Sequence, residues 1–298
     1  SLITTGIRIR MKINFSKMHG LGNDFIMIND LDENLNNYSK LAKKLCDRHF
    51  GIGADGIILI QSSQKNEADF KMRIFNSDGS EAEMCGNGIR CFAHYVHLND
   101  LTDKKNLKIE TLAGLIKPEI IDFGTQESTV KVNMGKPSYS LESLNIKQEL
   151  IDDQIDKLWH YPIIIEGKEY LLNGASMGNP HVVIYVENLD NIDLKKLGPI
   201  IEENPLFKKG TNVEFVKIKN DNELDVKVWE RGAGITLACG TGACATAAVS
   251  IDQDRVNNNI QINLPGGPLQ ISKNNNNEMI MTGPSTLVFK GEIMTGGM

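Results

Sequence analysis

The sequence has 298 residues, of which 41% are hydrophobic and 23% are charged, and its formal net charge is -6 at pH 7. This length suffices for two ordinary domains or for one large domain. The acidic balance and the lack of a basic patch argue against nucleic acid and anionic membranes as partners. Since no apolar run approaches the ~18 residues of a membrane-spanning helix, no membrane association is expected.

Residues 1–10 (SLITTGIRIR) lack the apolar core and the cleavage site of a secretory signal. We therefore expect Met11 to be the natural start, residues 1–10 to be a cloning scar or an N-terminal extension, and the chain to be cytoplasmic. The sequence contains five cysteines, an odd number that argues against a disulfide framework. Their spacing includes no C-x-x-C pair, so no metal site is expected.

Strand patterns occupy most of the chain. Phe70–Asn76 alternates apolar and polar residues, which is typical of a half-buried strand. Pairs of apolar runs flank Ala113-Gly114, Glu166-Gly167 and Gly266-Gly267, and each pair predicts a hairpin. Further strands are expected at residues 181–186, 213–218, 224–229 and 287–293, the last of them returning to the first domain.

Four segments are typical of helices. Apolar residues at helical spacing predict helices over residues 39–48 and 87–98, each with one buried face. The segment 241–251 is rich in alanine and almost uncharged, so it predicts a helix that is buried on all sides. A weaker helical pattern covers residues 194–203 and is expected to break at Gly198-Pro199.

The chain also contains an internal repeat. Cys85 in CGNG and Cys239 in CGTG lie 154 residues apart, each directly before a predicted helix. An offset of 156 residues places GNDFIMI (22–28) on GNPHVVI (178–184), and an offset near 158 places residues 53–58 on residues 211–216. Matches in the same order predict two similar α/β halves that face each other across a ligand cleft.

The position of the two cysteines suggests their chemistry. A free cysteine in a small-residue turn is more often a buried small hydrophobe, but a matched pair argues for a reaction. The positive end of each helix is expected to lower the pKa of Cys85 and Cys239 from about 8.5 towards neutrality. The free N–H groups of the same helix ends are suited to a carboxylate.

Two thiols on opposite faces of a cleft can invert a stereocentre. One thiolate removes the α-proton, and the thiol on the far side returns a proton to the other face. Each sulfur must then lie about 3–3.5 Å from the α-carbon. The sequence shows no lysine site for pyridoxal phosphate, and GIGADG (51–56) lacks the lysine of a P-loop. No cofactor is therefore expected.

Six segments together resemble the diaminopimelate epimerases. They are KMHGLGNDF (17–25), RHFGIGADG (48–56), FNSDGSEAEMCGNGIRC (75–91), MGNPH (177–181), GTNVEFV (210–216) and WERGAGITLACGTGACA (229–245). The resemblance implies a homodimeric, cofactor-independent epimerase that interconverts LL- and meso-diaminopimelate in lysine and peptidoglycan precursor biosynthesis. It implies an α/β fold of two pseudo-symmetric domains, each a mostly antiparallel sheet wrapped around a central helix, with the active site between them.

The resemblance also implies residue roles and boundaries. The first domain is expected to comprise residues 11–129 and 285–298, and the second to comprise residues 130–284. Catalysis falls to Cys85 and Cys239, and His181 and Glu230 are expected to tune them. The residues implied in substrate binding are Asn23, Asn76, Gly86, Asn87, Asn179, Asn212, Glu230, Arg231, Gly240 and Thr241. The helix-end N–H groups would hold the α-carboxylate, and Arg231 can pair with a second carboxylate bidentately.

Two alternatives remain open at this point. One is a proline-racemase-like epimerase of the same fold, which also uses two cysteines but resembles C-G-H at the first and D-R-x-P-C-G-T-G at the second. This chain has CGNG and ERGAGITLACGTG at those places. The other is a thiol redox protein that uses Cys85 and Cys239 as a reversible disulfide.

Overall fold

The computed structural model describes residues 11–295, so residues 1–10, with their expected role as a scar or extension, and residues 296–298 lie outside the described residues. The first half contains β1 (Met11–Gly20), β2 (Asn23–Asn29), α1 (Tyr38–Cys46), β3 (Gly56–Gln61), β4 (Phe70–Asn76), β5 (Glu81–Ala82), α2 (Gly86–Leu98), β6 (Ile109–Thr111), β7 (Gly114–Ile116), β8 (Glu119–Asp122) and β9 (Glu127–Asn133). The second half contains β10 (Tyr161–Ile165), β11 (Lys168–Ser176), β12 (Pro180–Tyr185), α3 (Leu194–Glu202), β13 (Asn212–Asn220), β14 (Glu223–Glu230), β15 (Gly234–Ile235), α4 (Gly240–Asp252), β16 (Asn259–Leu264), β17 (Gly267–Lys273) and β18 (Met279–Thr295).

Helices α2 and α4 form the centres of the two halves. Each has 13 residues, of which 11 are buried, so each is enclosed by sheet on all sides. The apolar residues of α2 pack into a cluster with β2, β3, β4 and β9, and those of α4 pack into a second cluster with β13, β14, β16 and β17. The predicted mixed α/β fold, with mostly antiparallel strands around a central helix, is therefore confirmed.

The two halves share a strand register. β2 pairs with β3 in parallel and β12 pairs with β13 in parallel, and the partners are Phe25 with Gly56 and His181 with Asn212. The partners are 31 residues apart in both halves, so Gly56 corresponds to Asn212 at an offset of 156. The expected offset near 158 for these strands was wrong, because two short apolar runs contain no marker that fixes their alignment, whereas the hydrogen-bond ladder does.

Strand β18 connects the halves. Its first residues pair with β17 and β9, and its later residues, from Thr286 onwards, pair antiparallel with β1. The prediction that the last strand returns to the first half is confirmed by this pairing. The proposed boundaries at residues 129/130 and 284/285 stay predictions. Within residues 11–295, no helix has the length and apolar character needed to cross a membrane.

Helix α3 is continuous through Gly198-Pro199, so the expected break was wrong. A Cβ on Gly198 would lie 2.4 Å from Cγ of Trp229, and only glycine therefore allows the helix to lie against the indole. Trp229 Nε1 donates to Glu202 Oε2 at 2.6 Å, and Gly232 N donates to Glu202 Oε1 at 2.9 Å. These two hydrogen bonds tie the last turn of α3 to β14 and to the loop that follows Glu230.

Candidate active site

Cys85 and Cys239 occupy the same structural position in the two halves. Each is the extended N-cap residue of its central helix, with φ/ψ of -143/121 for Cys85 and -126/108 for Cys239. Cys85 Sγ accepts a hydrogen bond from Gly88 N at 3.4 Å, and Cys239 Sγ accepts one from Gly242 N at 3.3 Å. A cysteine at an N-cap directs its sulfur to the end of the helix, where the positive dipole lies.

The two helix ends meet. A Cβ on Gly86 would lie 3.8 Å from Cα of Gly240, and one on Gly240 would lie 3.7 Å from Cα of Gly86. The first helical backbone bonds are made by the N–H groups of Ile89 and Ala243. Helix geometry therefore leaves the preceding N–H groups of both helices for other acceptors, and they lie side by side where one carboxylate can reach both sets.

Asn23 holds the sulfur of Cys85 from the other side. The Cys85 thiol donates to Asn23 Oδ1 at 3.5 Å, and Asn87 Nδ2 donates to the same oxygen at 3.1 Å. Asn23 Nδ2 donates to Asp55 Oδ2 at 2.8 Å, so the carboxylate fixes which end of the amide faces the cysteine. Asn87 also approaches Ala238 O at 3.4 Å, which ties the first half to the loop before Cys239.

A chain of polar contacts leads from Cys239 into the second half. Cys239 Sγ lies 3.6 Å from Thr241 Oγ1, and Asn179 Nδ2 lies 3.3 Å from the same hydroxyl. His181 Nε2 lies 3.0 Å from Asn179 Oδ1, and His181 Nδ1 lies 2.7 Å from Glu214 Oε1. His181 therefore reaches Cys239 through Asn179 and Thr241 and not by direct contact.

Glu230 lies beside Cys239. Its carboxylate accepts a hydrogen bond from Thr236 Oγ1 at 2.5 Å and interacts with the Cys239 thiol. Burial raises the pKa of Glu230, and the nearby Glu214 raises it further. A carboxylate whose pKa is raised in this way can accept a proton from a neighbouring thiol more readily than an exposed one.

The thiol pKa values differ from the expectation. Burial raises the pKa of Cys85, although the N–H groups of Gly88 and Asn87 and the guanidinium of Arg90 lower it. Burial raises the pKa of Cys239 well above its usual value, and Glu230 and Glu214 add to the effect. The expectation of lowered values was wrong, because the helix ends compensate for only part of the burial.

Arg231 and Asn212 form the outer part of the site. Arg231 N donates to Asn212 Oδ1 at 2.9 Å, and Asn212 Nδ2 donates to Pro180 O at 2.9 Å. Asn212 thereby joins the Arg231 loop to the turn that precedes His181. The guanidinium of Arg231 is exposed, and one of its nitrogens donates to Lys209 O at 3.3 Å, which leaves most of its donors for a ligand.

Asn76 lies at the end of β4, opposite Gly56 in the strand register. It is exposed, and its Nδ2 donates to Ser80 Oγ at 3.1 Å. Neither Asn76 nor Arg231 has a hydrogen bond to either cysteine among the described residues, so both fit the far end of a ligand better than its reacting end.

Several polar residues that hold the site were not predicted from the sequence. Asp55 lies inside the RHFGIGADG segment, where the sequence does not distinguish an aspartate that binds Asn23 from one that only forms the turn. Glu214 had a detectable signal, since it is the single charged residue in the NVEFV run that begins β13. Thr236 and Arg90 gave no signal, because both act through contacts that are distant in the sequence or made by a loop.

Asp24 supports the Asn23 turn through buried and half-buried ion pairs. Lys17 Nζ lies 2.8 Å from Asp24 Oδ2 and also donates to Gly53 O. Arg48 binds both oxygens of Asp24, at 3.1 and 2.9 Å. Burial alone would raise the pKa of Asp24, but the hydrogen bonds from Arg48 and Lys17 hold it well below its usual range.

We expect Asp24→Asn to lower the free energy of unfolding at neutral pH by about 3 kcal/mol, because it leaves Lys17 without its counter-ion. The pKa of Asp24 is lower in the folded chain than in the unfolded chain. Its contribution is therefore complete above about pH 4 and is lost as the pH falls further. Urea unfolding across this range measures the difference between the two proteins, which should narrow in acid.

Glu292→Gln is the matched control. Glu292 pairs with Lys12, and their side chains are 61% and 52% exposed. Loss of such a surface pair is expected to change the stability by less than about 0.5 kcal/mol at any pH. An equal effect of both substitutions would contradict the role given to Asp24.

Cavity volume does not identify this site. A cavity of about 550 Å³ lies elsewhere, between β11, β12 and the end of α4, and is lined by residues that include His160, Tyr170, Tyr185 and Arg255. Within residues 11–295, no three His, Cys, Asp or Glu side chains are arranged to hold a metal ion. The candidate site at the paired helix ends is identified by its side chains and by its symmetry, and not by the volume of a cavity.

Comparison with known proteins gives consistent results. The sequence model of the family described as diaminopimelate epimerase matches residues 15–140 and 174–288. The diaminopimelate epimerase of Halothermothrix orenii is 49% identical, over 95% of this chain and 99% of its own length. The enzyme of the same name from Methanococcus maripaludis is 45% identical, over 94% of this chain and 99% of its own length.

Solved structures share the fold at low identity. A hydroxyproline epimerase from Agrobacterium vitis matches with a TM-score of 0.69 at 14% identity, over 97% of this chain and 94% of its own. A phenazine biosynthesis protein from Bacillus anthracis matches with a TM-score of 0.66 at 16% identity, over 96% of this chain and 100% of its own. These structures show the fold alone. The identities with the curated relatives, which extend over almost the full length of both chains, show that this chain belongs to the diaminopimelate epimerase family.

Proposed function

We propose that this protein interconverts LL- and meso-diaminopimelate without a cofactor, with Cys85 and Cys239 as its two bases. The observation that carries the proposal is the pair of N-cap cysteines at two helix ends that meet. The assignment of diaminopimelate as substrate is supported by the family, whose members are named for that compound. The product serves lysine and peptidoglycan precursor biosynthesis.

The α-carboxylate of the substrate lies against the N–H groups of Gly86, Asn87, Gly240 and Thr241. An α-proton is weakly acidic, and its removal places negative charge on the α-carbon and the carboxylate. Donors that are already oriented at two helix ends stabilise this charge without reorganisation. Glycine suits positions 86 and 240 because a Cβ there would meet the side chain of Met281, at 2.9 Å from its Cε for Gly86 and 3.3 Å from its Sδ for Gly240.

The proton transfers balance between the two sulfurs. Burial keeps both thiols protonated, so one thiol must first lose its proton. On the Cys239 side Glu230 accepts it, because burial has made this carboxylate more basic. The thiolate then takes the α-proton, and the opposite thiol gives its own proton to the other face of the carbanion. After this step Cys239 carries the α-proton and Cys85 is a thiolate. Before the next turnover in the same direction, Cys85 takes a proton from solvent and Cys239 gives its proton to solvent, whereas a turnover in the reverse direction restores the starting state directly.

The far end of diaminopimelate is a second amino-acid group. The exposed guanidinium of Arg231 pairs with its carboxylate. Asn76 and Asn212 complete the binding of these far groups, whereas Asn179, whose Nδ2 lies 3.3 Å from Thr241 Oγ1, is at the α-carboxylate end. A substrate with two charged ends spans the distance from the helix ends to the Arg231 loop, whereas proline has only one such end.

The test is deuterium exchange. The protein is incubated with LL-diaminopimelate in deuterium oxide, with reductant and without added cofactor, and α-hydrogen loss is followed by NMR. We expect meso product that carries deuterium at the inverted carbon, because the donating thiol has exchanged with solvent. Absence of α-deuterium would overturn the proposal.

The same assay separates the alternatives. A thiol redox protein would need an oxidant and would lose its function under steady reductant, whereas the epimerase should work throughout. A proline-racemase-like enzyme would incorporate deuterium into proline or hydroxyproline. We expect neither compound to exchange.

We further propose that the protein is a cytoplasmic homodimer made of the two domains given above. The five free cysteines among the described residues suit a reducing compartment. Strand β18 exposes the apolar side chains of Val288, Phe289 and Met294, which a second copy would cover. Light scattering of the purified protein measures the mass, and a monomer at micromolar concentration would contradict this part.

A further inference from the structure

Glu214 is a fully buried carboxylate in the second half. It lies in the middle of β13, at 0% exposure, and its Oε1 lies 2.7 Å from Nδ1 of His181, which is also at 0% exposure. Among the described residues, its Oε2 has no hydrogen-bond partner. A buried carboxylate needs a partner of opposite charge, or else it takes up a proton and becomes neutral, and the imidazole of His181 is the partner that can supply that charge.

The other ring nitrogen of His181 supports the same conclusion. His181 Nε2 lies 3.0 Å from Oδ1 of Asn179, an atom that can only accept. Both ring nitrogens therefore face oxygen acceptors, and only the doubly protonated imidazolium satisfies both. Glu214 supplies the negative charge that keeps this form next to Asn179.

The repeat shows that the fold does not require this pair. The strand register places Phe25 where the second half has His181, and Ile58 where it has Glu214. A Cβ on Gly88 would lie 3.0 Å from Ile58 Cδ1, just as one on Gly242 would lie 2.5 Å from Glu214 Oε1. An apolar pair therefore fills the equivalent space beside Cys85, and the ionic pair beside Cys239 has a different purpose.

We propose that Glu214 is a positioning residue that fixes which end of the Asn179 amide faces the substrate. This inference rests on the proposed function, since it concerns how Asn179 meets the substrate carboxylate. The imidazolium donates to Asn179 Oδ1, so Nδ2 of Asn179 must point towards Thr241 Oγ1, 3.3 Å away, where the α-carboxylate binds. Without the carboxylate of Glu214, His181 becomes neutral at Nε2 and accepts from Asn179, whose amide turns and presents its oxygen to the substrate.

The groups that face His181 are Glu214 on β13, Asn179 before β12, and Glu230, which lies within electrostatic range on β14. Glu214 by itself raises the pKa of Cys239. Removing the carboxylate therefore acts on the site in two ways, through the amide of Asn179 and through the charge near Cys239.

The test replaces the charge and keeps the shape. Glu214→Gln retains an acceptor for Nδ1–H, and the ring nitrogens of His181 are observed by NMR in protein labelled with nitrogen-15 at histidine. Wild type is expected to show two protonated nitrogens at neutral pH, and Glu214→Gln one protonated and one bare nitrogen. His181→Phe assigns the signal. His94, which is buried between Ser285 and Gly124, is the internal control and should not change.

The kinetics distinguish positioning from stability. We expect Glu214→Gln to raise KM for LL-diaminopimelate by about tenfold or more, the cost of facing a charged group with the wrong end of an amide. Glu214→Asp keeps the charge and should restore both the NMR signature and most of the affinity. The double variant His181→Phe with Glu214→Ile copies the first half, and it should fold but bind substrate weakly.

A neutral His181 in wild type, or an unchanged His181 signature in Glu214→Gln, would overturn the proposal. A double variant that fails to fold would also count against it, since the pair would then be structural. The NMR experiment needs no substrate. If His181 behaves as expected but LL-diaminopimelate shows no exchange, the proposed function fails and the ion pair remains.

Discussion

Cys85→Ala and Cys239→Ala are each expected to lower the rate of epimerisation by a factor of at least about 10⁴, since each removes one of the two groups that carry the proton. The two variants should differ in what remains. A single sulfur can still remove and return a proton on its own face, so each variant is expected to exchange the α-hydrogen of only one isomer with solvent, without inversion. The two variants should favour opposite isomers.

The measurement follows α-hydrogen exchange and inversion separately in deuterium oxide, starting from each isomer. Cys91→Ala on α2 and Cys244→Ala on α4 are the matched controls, because both residues are fully buried in the helices that the two active cysteines cap. We expect these controls to lose stability and to keep their activity. Near-normal epimerisation by either Cys85→Ala or Cys239→Ala would contradict the two-base mechanism.

The sequence predicted the parts of this site that repeat. CGNG and CGTG each place a cysteine at the start of a buried helix, and both helices were found within one residue of the predicted start. Local chemistry is sufficient here, because small residues and a free helix end have the same consequence in both halves. The prediction that two such ends lie in one cleft followed from the order of the repeated motifs.

The parts that break the repeat were not predictable. Glu214 and His181 stand where the first half has Ile58 and Phe25, and only the strand register shows the correspondence. The thiol pKa values were not predictable either, because they depend on how deeply each cysteine is buried. Burial raises the pKa of both thiols by more than the N–H groups at the helix ends lower it. A sequence shows which groups are present, but the balance between a helix end and the loss of water requires the packed structure.

Gly198-Pro199 shows the same limit in the fold. The pair is a strong signal for a helix end, yet α3 continues through it. The glycine is explained by tertiary packing, because the indole of Trp229 occupies the space that a side chain at position 198 would need. The glycine was therefore selected by a contact with a residue 31 positions later in the chain, which no local pattern reveals. The same contact fixes the loop that carries Arg231.

Arg231→Met is expected to lower kcat/KM for LL-diaminopimelate by about 10³-fold, the loss of a charge-assisted, bidentate contact. Arg231→Lys keeps the charge but not the planar fork and should recover only part of that loss. The guanidinium is suited to this contact because Asn212 holds its backbone and leaves the side chain exposed. Initial rates measured with each isomer over a range of substrate concentrations give kcat/KM for each variant.

L-Lysine provides the comparison that assigns the contact, because it has the far ammonium of diaminopimelate but not the far carboxylate. If Arg231 binds that carboxylate, wild type and Arg231→Met should exchange the α-hydrogen of L-lysine at similar, low rates. The difference between the two substrates then isolates a single pair of groups, as in a double-mutant cycle. Arg255→Met, which removes an arginine that stacks on Tyr185 at 4.1 Å, away from the cysteines, is the control and should leave both substrates unaffected. If Arg231→Met lost the same factor in rate on L-lysine as on LL-diaminopimelate, Arg231 would bind the reacting end of the substrate. The argument that the site requires a substrate with a second carboxylate would then fail.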